Sequence, residues 1–163
     1  MQINCTYDSL ENPKSLKPSP KNPNHHSPDQ IDRLCKILQY QGYRAPIVVS
    51  KQTGFVVVGH ARLQAAMKMD LTEVPVNYQD FENEDQEYAH MVADNSIGEW
   101  AELDLSQINL DIGDLGPDFD IENLGLKDFT IEPADKYEES KIKEKEISEL
   151  QTEHECPSCG YKW

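Results

Sequence analysis

At 163 residues the chain has room for one ordinary domain and a tail, and no apolar run approaches the length of a membrane span. The formal net charge is −15, but residues 101–163 carry six Lys/Arg against seventeen Asp/Glu, whereas residues 11–79 carry nine against five. A polyanion is therefore excluded as a ligand of the whole surface and admitted at a patch in the first half, while the acidic second half repels bulk DNA or mimics a charged partner.

The N-terminus lacks a basic region followed by an apolar stretch, so the sequence reads as soluble, not exported and cytoplasmic. The cysteines fit a reducing compartment. Cys35 falls on the apolar stripe of a predicted helix, and Cys156 and Cys159 are too close in sequence to close a structural loop.

Residues 1–26 are rich in Pro, Asn, Ser and Lys and predict extended chain and loop, with a short strand near Gln2 to Tyr7. A helix should begin at Ser27: its hydroxyl can cap, Pro28 suits the first helical position, and Gln30 can close a capping box. Ile31, Leu34, Cys35 and Leu38 then form one apolar face, and Gly42 supplies the stop. The β-branched runs Ile47 to Val49 and Phe55 to Val58 flank a turn, which predicts a hairpin. Gly59 ends the second run, and a helix follows over 61–69. Val74 to Tyr78 predicts a further strand. Asn83 to Asn95 predicts a helix with acidic residues in its first turn and with Tyr88, Met91 and Val92 on one face. Together these make a small α+β domain, a mixed sheet with helices, ending near Asp104.

Beyond it, residues 105–132 alternate Leu and Ile irregularly with Asp and read as short helical turns or an arm. Residues 135–150 predict a charged helix whose apolar content, mainly Tyr137, Ile142, Ile147 and Leu150, is too thin to bury a face alone. It is either solvated or a docking segment for a protein partner. The expected divisions are an N-terminal segment 1–15, a domain 16–104, an acidic, partly helical arm 105–150 and a tail 151–163.

The strand-to-helix turn Gly59-His60-Ala61-Arg62 carries the most chemistry. A helix start has unpaired backbone N–H groups and a partial positive charge, which suits phosphate. His60 and Arg62 stand where they can reinforce that preference; the plain alternative is a sharp connection with a surface His and Arg. Of the pre-helix residues Asn24, His25 and His26, His25 reads as ordinary polar loop, and His26 approaches His60 if the loop folds over the turn. A His pair with Asp94 could hold a divalent metal for phosphodiester hydrolysis, although no dense carboxylate cluster backs it. In the tail, His154, Cys156 and Cys159 lie in a Cys-Pro-x-Cys-Gly pattern that resembles one knuckle of a zinc ribbon. A closed structural Zn²⁺ site needs four ligands. The rest would come from Cys5 or from a second chain in a homodimer, and the alternative is an unmetallated dithiol tail.

The order of these elements resembles the ParB/sulfiredoxin-type domain, also called the ParB-like nuclease domain, over about residues 16–104. The resemblance rests on Asn22-Pro23-Asn24-His25-His26-Ser27, Pro46-Ile47-Val48-Val49, the Gly59-His60-Ala61-Arg62 turn with Ala65-Ala66 behind it, and Val74-Pro75-Val76. It extends to Ala93-Asp94-Asn95, Trp100 and Leu103-Asp104. This version is similar to phage-encoded forms often fused to DNA methyltransferases. The resemblance implies a nucleotide such as CTP or ATP with Mg²⁺, or DNA, at Gly59, His60 and Arg62, with Asp94 and Asn95 beside the same ligand. Partitioning relatives carry Arg where this chain has Ala61, and a helix-turn-helix domain that residues 105–163 do not resemble, so a partitioning clamp is not expected. The reductase branch needs a cysteine beside the phosphate site, and Cys35 is on the first helix. Three functions follow: a nucleotide- or DNA-phosphate-binding protein of phage or plasmid DNA metabolism, a metal-dependent nuclease or nucleotide hydrolase, or an adaptor acting through the acidic half.

Overall fold

The structure, a computed structural model, describes residues 1–116, 118–131 and 157–159. Five strands form one mixed sheet: β1 (Ser9–Glu11), β2 (Lys17–Pro18), β3 (Ile47–Ser50), β4 (Phe55–Val58) and β5 (Val74–Gln79), in the spatial order β1-β5-β3-β4-β2. The expected hairpin forms: β3 and β4 pair antiparallel, with a register shift between Val48 and Val49. β5 lies parallel to β3, with Ile47 opposite Val76, and β1 closes that edge antiparallel to β5. On the far edge β2 runs parallel to β4, with Lys17 opposite Phe55. Every residue of β3 is buried, as expected of a central strand written as a continuous apolar run.

The helices are α1 (Pro28–Gln41), α2 (His60–Lys68), α3 (Glu84–Ser96) and α4 (Leu105–Asp111). Ile31, Cys35 and Leu38 of α1 and Leu63, Ala65 and Ala66 of α2 share one core with Ile47, Val49, Val56, Val74 and Val76 of the sheet. Ala65 and Ala66 let the two helices approach closely, and the Cys35 thiol reaches the Ala65 carbonyl at 3.7 Å. Ser27 caps α1 as expected, its Oγ accepting from the Gln30 N–H at 3.2 Å. The Gln30 side chain does not close the box; its oxygen takes His26 Nδ1 at 3.1 Å.

Two expectations change. Instead of a strand near Gln2 to Tyr7, Ile3 makes a single parallel bridge to Tyr43, and the strand lies at Ser9–Glu11. The reason is Gly42, whose φ of 71° turns the chain so that Tyr43 alone faces the N-terminal segment. Tyr43 exchanges backbone bonds with Gln2 and Asn4 there, and a Cβ on Gly42 would stand 2.5 Å from the Gln2 carbonyl oxygen. On α3 the buried pair is Glu87 and Met91, while Tyr88 is exposed. Glu87 is tolerated inside because Thr53 Oγ1 lies 2.9 and 3.0 Å from its two carboxylate oxygens.

Residues after Asp104, which caps α4, continue as short helical turns at Ile112–Leu115 and Ile121–Leu124. The last turn packs on α1: the Glu122 carboxylate pairs with Lys36, and Phe119 meets Tyr40 edge-on at 6.2 Å. Met1–Phe129 forms one compact unit and Thr130–Trp163 a second, of which residues 130–131 and the exposed turn at residues 157–159 are described. The charged helix expected at 135–150, His154 and Cys156 lie outside the described residues; Cys159 is exposed with a free thiol. No described helix is long and apolar enough to cross a membrane.

Candidate nucleotide-binding site

Because β2 is parallel to β4, both strands end at the same edge of the sheet. β4 delivers Gly59 and α2 there, and β2 delivers the loop that leads into α1. The C-terminal end of α3 brings Asp94 and Asn95 to the same place. Between them is a cavity of about 180 Å³ lined by Asn22, Asn24, His26, Leu34, Val58, Gly59, His60, Ala61, Arg62, Asp94 and Asn95. All six ligand-side residues expected from sequence, Gly59, His60, Arg62, Asp94, Asn95 and His26, meet in this cavity. His25 lies outside that lining, exposed on the loop.

Gly59 sits at the N-cap of α2 with φ 95° and ψ 27°, a left-handed conformation that a residue with a Cβ resists. It has no side chain to cap the helix, so the first-turn N–H groups of α2 are left without a side-chain acceptor. The Arg62 guanidinium folds back across Gly59 and donates from Nη2 to the Pro46 carbonyl at 3.1 Å. Its Nε is fully buried and has no hydrogen-bond partner. Burial pushes the Arg62 pKa below its ordinary value, while the Asp94 carboxylate and Tyr43 pull it back up; an arginine nonetheless remains charged. Among the described residues no carboxylate forms an ion pair with Arg62. The site therefore holds a positive charge that protein contacts only partly satisfy.

His60 and His26 do come together, as a loop folded over the turn requires. His60 is 7% exposed, and its Nε2 accepts the Ser19 backbone N–H at 3.3 Å. Burial and the adjacent His26 hold its pKa below the usual histidine value, so the ring is neutral near pH 7. His26 stands at the rim. A carbonyl oxygen can only accept, so His26 Nδ1 is the donor to Gln30 Oε1, and Nε2 is its second ring nitrogen. On α3 the Asn95 amide donates to the Met91 carbonyl at 2.7 Å, which fixes the side chain and leaves Oδ1 to accept from a ligand. Among the described residues no group of three or more His, Cys, Asp and Glu side chains converges on a point that could hold a metal ion. His26, His60 and Asp94 share a lining without forming such a group.

Sequence reasoning missed Leu34 and Val58 as apolar lining, Pro46 as the acceptor for Arg62, and Tyr43 beneath it. Tyr43 is fully buried, its hydroxyl lies 3.5 Å from the Arg62 carbonyl, and burial pushes its pKa up to about 12. Only the Leu34 position on the apolar stripe of α1 offered a sequence signal.

Among solved structures, the chain is similar to the C-terminally truncated chromosome-partitioning protein ParB from Caulobacter crescentus, complexed with CTP-γ-S. The TM-score is 0.56 at 19% identity, over 66% of this chain and 61% of that one. At that identity the likeness shows a shared fold, and the chain spans less than two thirds of that relative. A Pnob8-like ParB-N domain matches at a TM-score of 0.47 and 20% identity, over 70% of this chain and 49% of that one. No curated protein sequence matches. The family model described as the ParB N-terminal domain matches residues 9–95, more than half of the sequence, and the chain belongs to that family.

Proposed function

We propose that the cavity binds the phosphate end of a nucleotide, with CTP and ATP (with Mg²⁺) as first candidates, or a phosphate of DNA, and that the protein serves phage or plasmid DNA metabolism without acting as a partitioning clamp. The observation that carries this reading is Arg62: a half-buried arginine with a buried, unpartnered Nε beside an uncapped helix start. A charge partly withdrawn from water with a buried donor left unpaired is costly, and an entering anion offsets that cost. The bound CTP analogue of the Caulobacter relative supports CTP as the first ligand to try. At about 180 Å³ the cavity is smaller than the roughly 300–1,000 Å³ typical of drug-sized ligand sites. It takes the phosphates, and the base and sugar lie toward the rim. There Asn95 Oδ1 and the Asp94 carboxylate accept from ligand hydroxyl or amino groups, or Asp94 faces a phosphate-bound Mg²⁺.

Thermal shift with CTP, ATP and short duplex DNA, with and without Mg²⁺, tests it. A ligand at a hundred times its Kd stabilises the fold by about 2.7 kcal/mol, and the shift should vanish in Arg62→Ala. A shift that survives that substitution overturns the site.

Exposed apolar side chains favour a second reading, an adaptor working through the acidic half. Trp100 is 80% exposed and Leu105, Leu110 and Leu115 are at least half exposed. A protein partner held by this segment should persist in Arg62→Ala and be lost in Leu105→Ser/Leu110→Ser. The opposite pattern excludes it.

A further inference from the structure

We infer that His60 is a positioning residue: as a hydrogen-bond acceptor it pins the loop between β2 and α1 over the Gly59 turn and thereby fixes one wall of the cavity. The inference rests on the reading of that cavity as the anion site, and it assigns His60 a role other than a charge presented to phosphate. β2 ends at Pro18, which has no N–H, so Ser19 carries the first backbone donor beyond the short ladder with β4. That donor finds its acceptor in His60 Nε2 at 3.3 Å. From Ser19 the chain turns at once: its carbonyl accepts the Asn22 N–H at 3.2 Å, and its hydroxyl accepts the Lys21 N–H at 3.3 Å. Asn22 and Asn24 then brace each other, the Asn24 N–H donating to Asn22 Oδ1 at 3.2 Å. With His26, these two residues form the loop's share of the cavity lining.

Most of these ties are local to the loop. The contact from Lys21 to Glu84 on α3 spans 2.9 Å but is exposed to water on both sides, where ion pairs contribute little. The His60 bond is the one that joins the loop to the buried start of α2. It also decides the tautomer: Nε2 can accept only if the proton sits on Nδ1, and a doubly protonated ring would set an N–H against the Ser19 N–H. Burial beside His26 keeps the ring in the accepting form.

The test uses the full chain without ligand, then with CTP. Hydrogen exchange is followed at the loop amides of Ser19, Lys21, Asn22, Asn24, His25 and His26 and, as a folding control, in β3. His60→Phe keeps a ring of similar size but removes the acceptor. It should speed exchange of the loop roughly fivefold, the factor expected for one net hydrogen bond, and weaken CTP binding. His60→Gln restores an acceptor and should recover both. Ser19→Pro deletes the donor with His60 in place and gives a second route if His60→Phe loses protection in β3; it is read at Asn22, Asn24, His25 and His26, because it also removes the Ser19 amide and the hydroxyl that accepts the Lys21 N–H. Unchanged loop exchange in both His60→Phe and Ser19→Pro overturns the inference. So does His60→Lys binding CTP as tightly as wild type with an unprotected loop, because charge would then be the property in use. If the wild-type chain binds no CTP, ATP or DNA, the anion-site reading fails, and the exchange result still judges the pin.

Discussion

The Arg62 guanidinium lies across the backbone of Gly59, so that a Cβ built on Gly59 would stand 3.1 Å from Nη2 and 3.2 Å from Nε. The glycine thus does two things: it takes the left-handed turn that starts α2, and it leaves room for the charge that the turn presents. Gly59→Ala should cost about 1–2 kcal/mol from the backbone alone and push the guanidinium out of place. Denaturant unfolding measures the first effect. A weaker CTP or DNA shift than the stability loss explains measures the second.

Arg62 itself should separate stability from binding. Its charge is half-buried without an ion pair, and such a charge contributes little to the fold or opposes it. Against that stands one bond to the Pro46 carbonyl. Arg62→Met should therefore leave unfolding free energy within about 1 kcal/mol of wild type while abolishing anion binding. A loss of several kcal/mol would instead make Arg62 a structural residue.

The His60 pKa is lowered in the folded chain, first by burial and then by His26. Between the folded value and the ordinary value of about 6.5, the unfolded chain binds the extra proton, so stability rises with pH through that window. The contribution is fully present above about pH 6.5 and is lost as pH falls below it. Unfolding curves from pH 7.5 down to 5 should show a slope that His60→Gln reduces; equal slopes would mean that other groups carry the pH dependence.

Glu87 supplies a test of the fold away from the cavity. The residue is 8% exposed, and both carboxylate oxygens lie within bonding distance of Thr53 Oγ1, which also accepts the Phe55 N–H at 3.3 Å. Thr53→Val keeps the volume and removes the hydroxyl, leaving a buried acceptor unpaired. The expected loss is about 1–3 kcal/mol, and Thr53→Val/Glu87→Met should recover part of it.

In the core, Leu63 is 2% exposed between α1 and the sheet. Leu63→Ala should cost about 2–5 kcal/mol and lower the melting temperature without changing the affinity of the protein that remains folded.

What could be read from the sequence was local. Ser27 and Pro28 start α1 because a hydroxyl and a fixed φ act within one turn, and Gly42 ends it for the same kind of reason. The hairpin of β3 and β4 follows from two β-branched runs across a short turn, and the abrupt Gly59 between a strand and a helix former marks the site. The resemblance then placed Asp94 and Asn95 beside that turn, where they lie. Tertiary structure decided the rest, because it depends on which distant groups meet. The pairing of β2 beside β4 gave the Ser19 N–H an acceptor in His60, and burial made that histidine, expected on the phosphate side, a neutral acceptor. The same packing left Arg62 half-buried, with its Nε unpartnered and no carboxylate within ion-pair distance among the described residues. Desolvation and partner geometry are properties of the folded chain, and a residue's name carries neither.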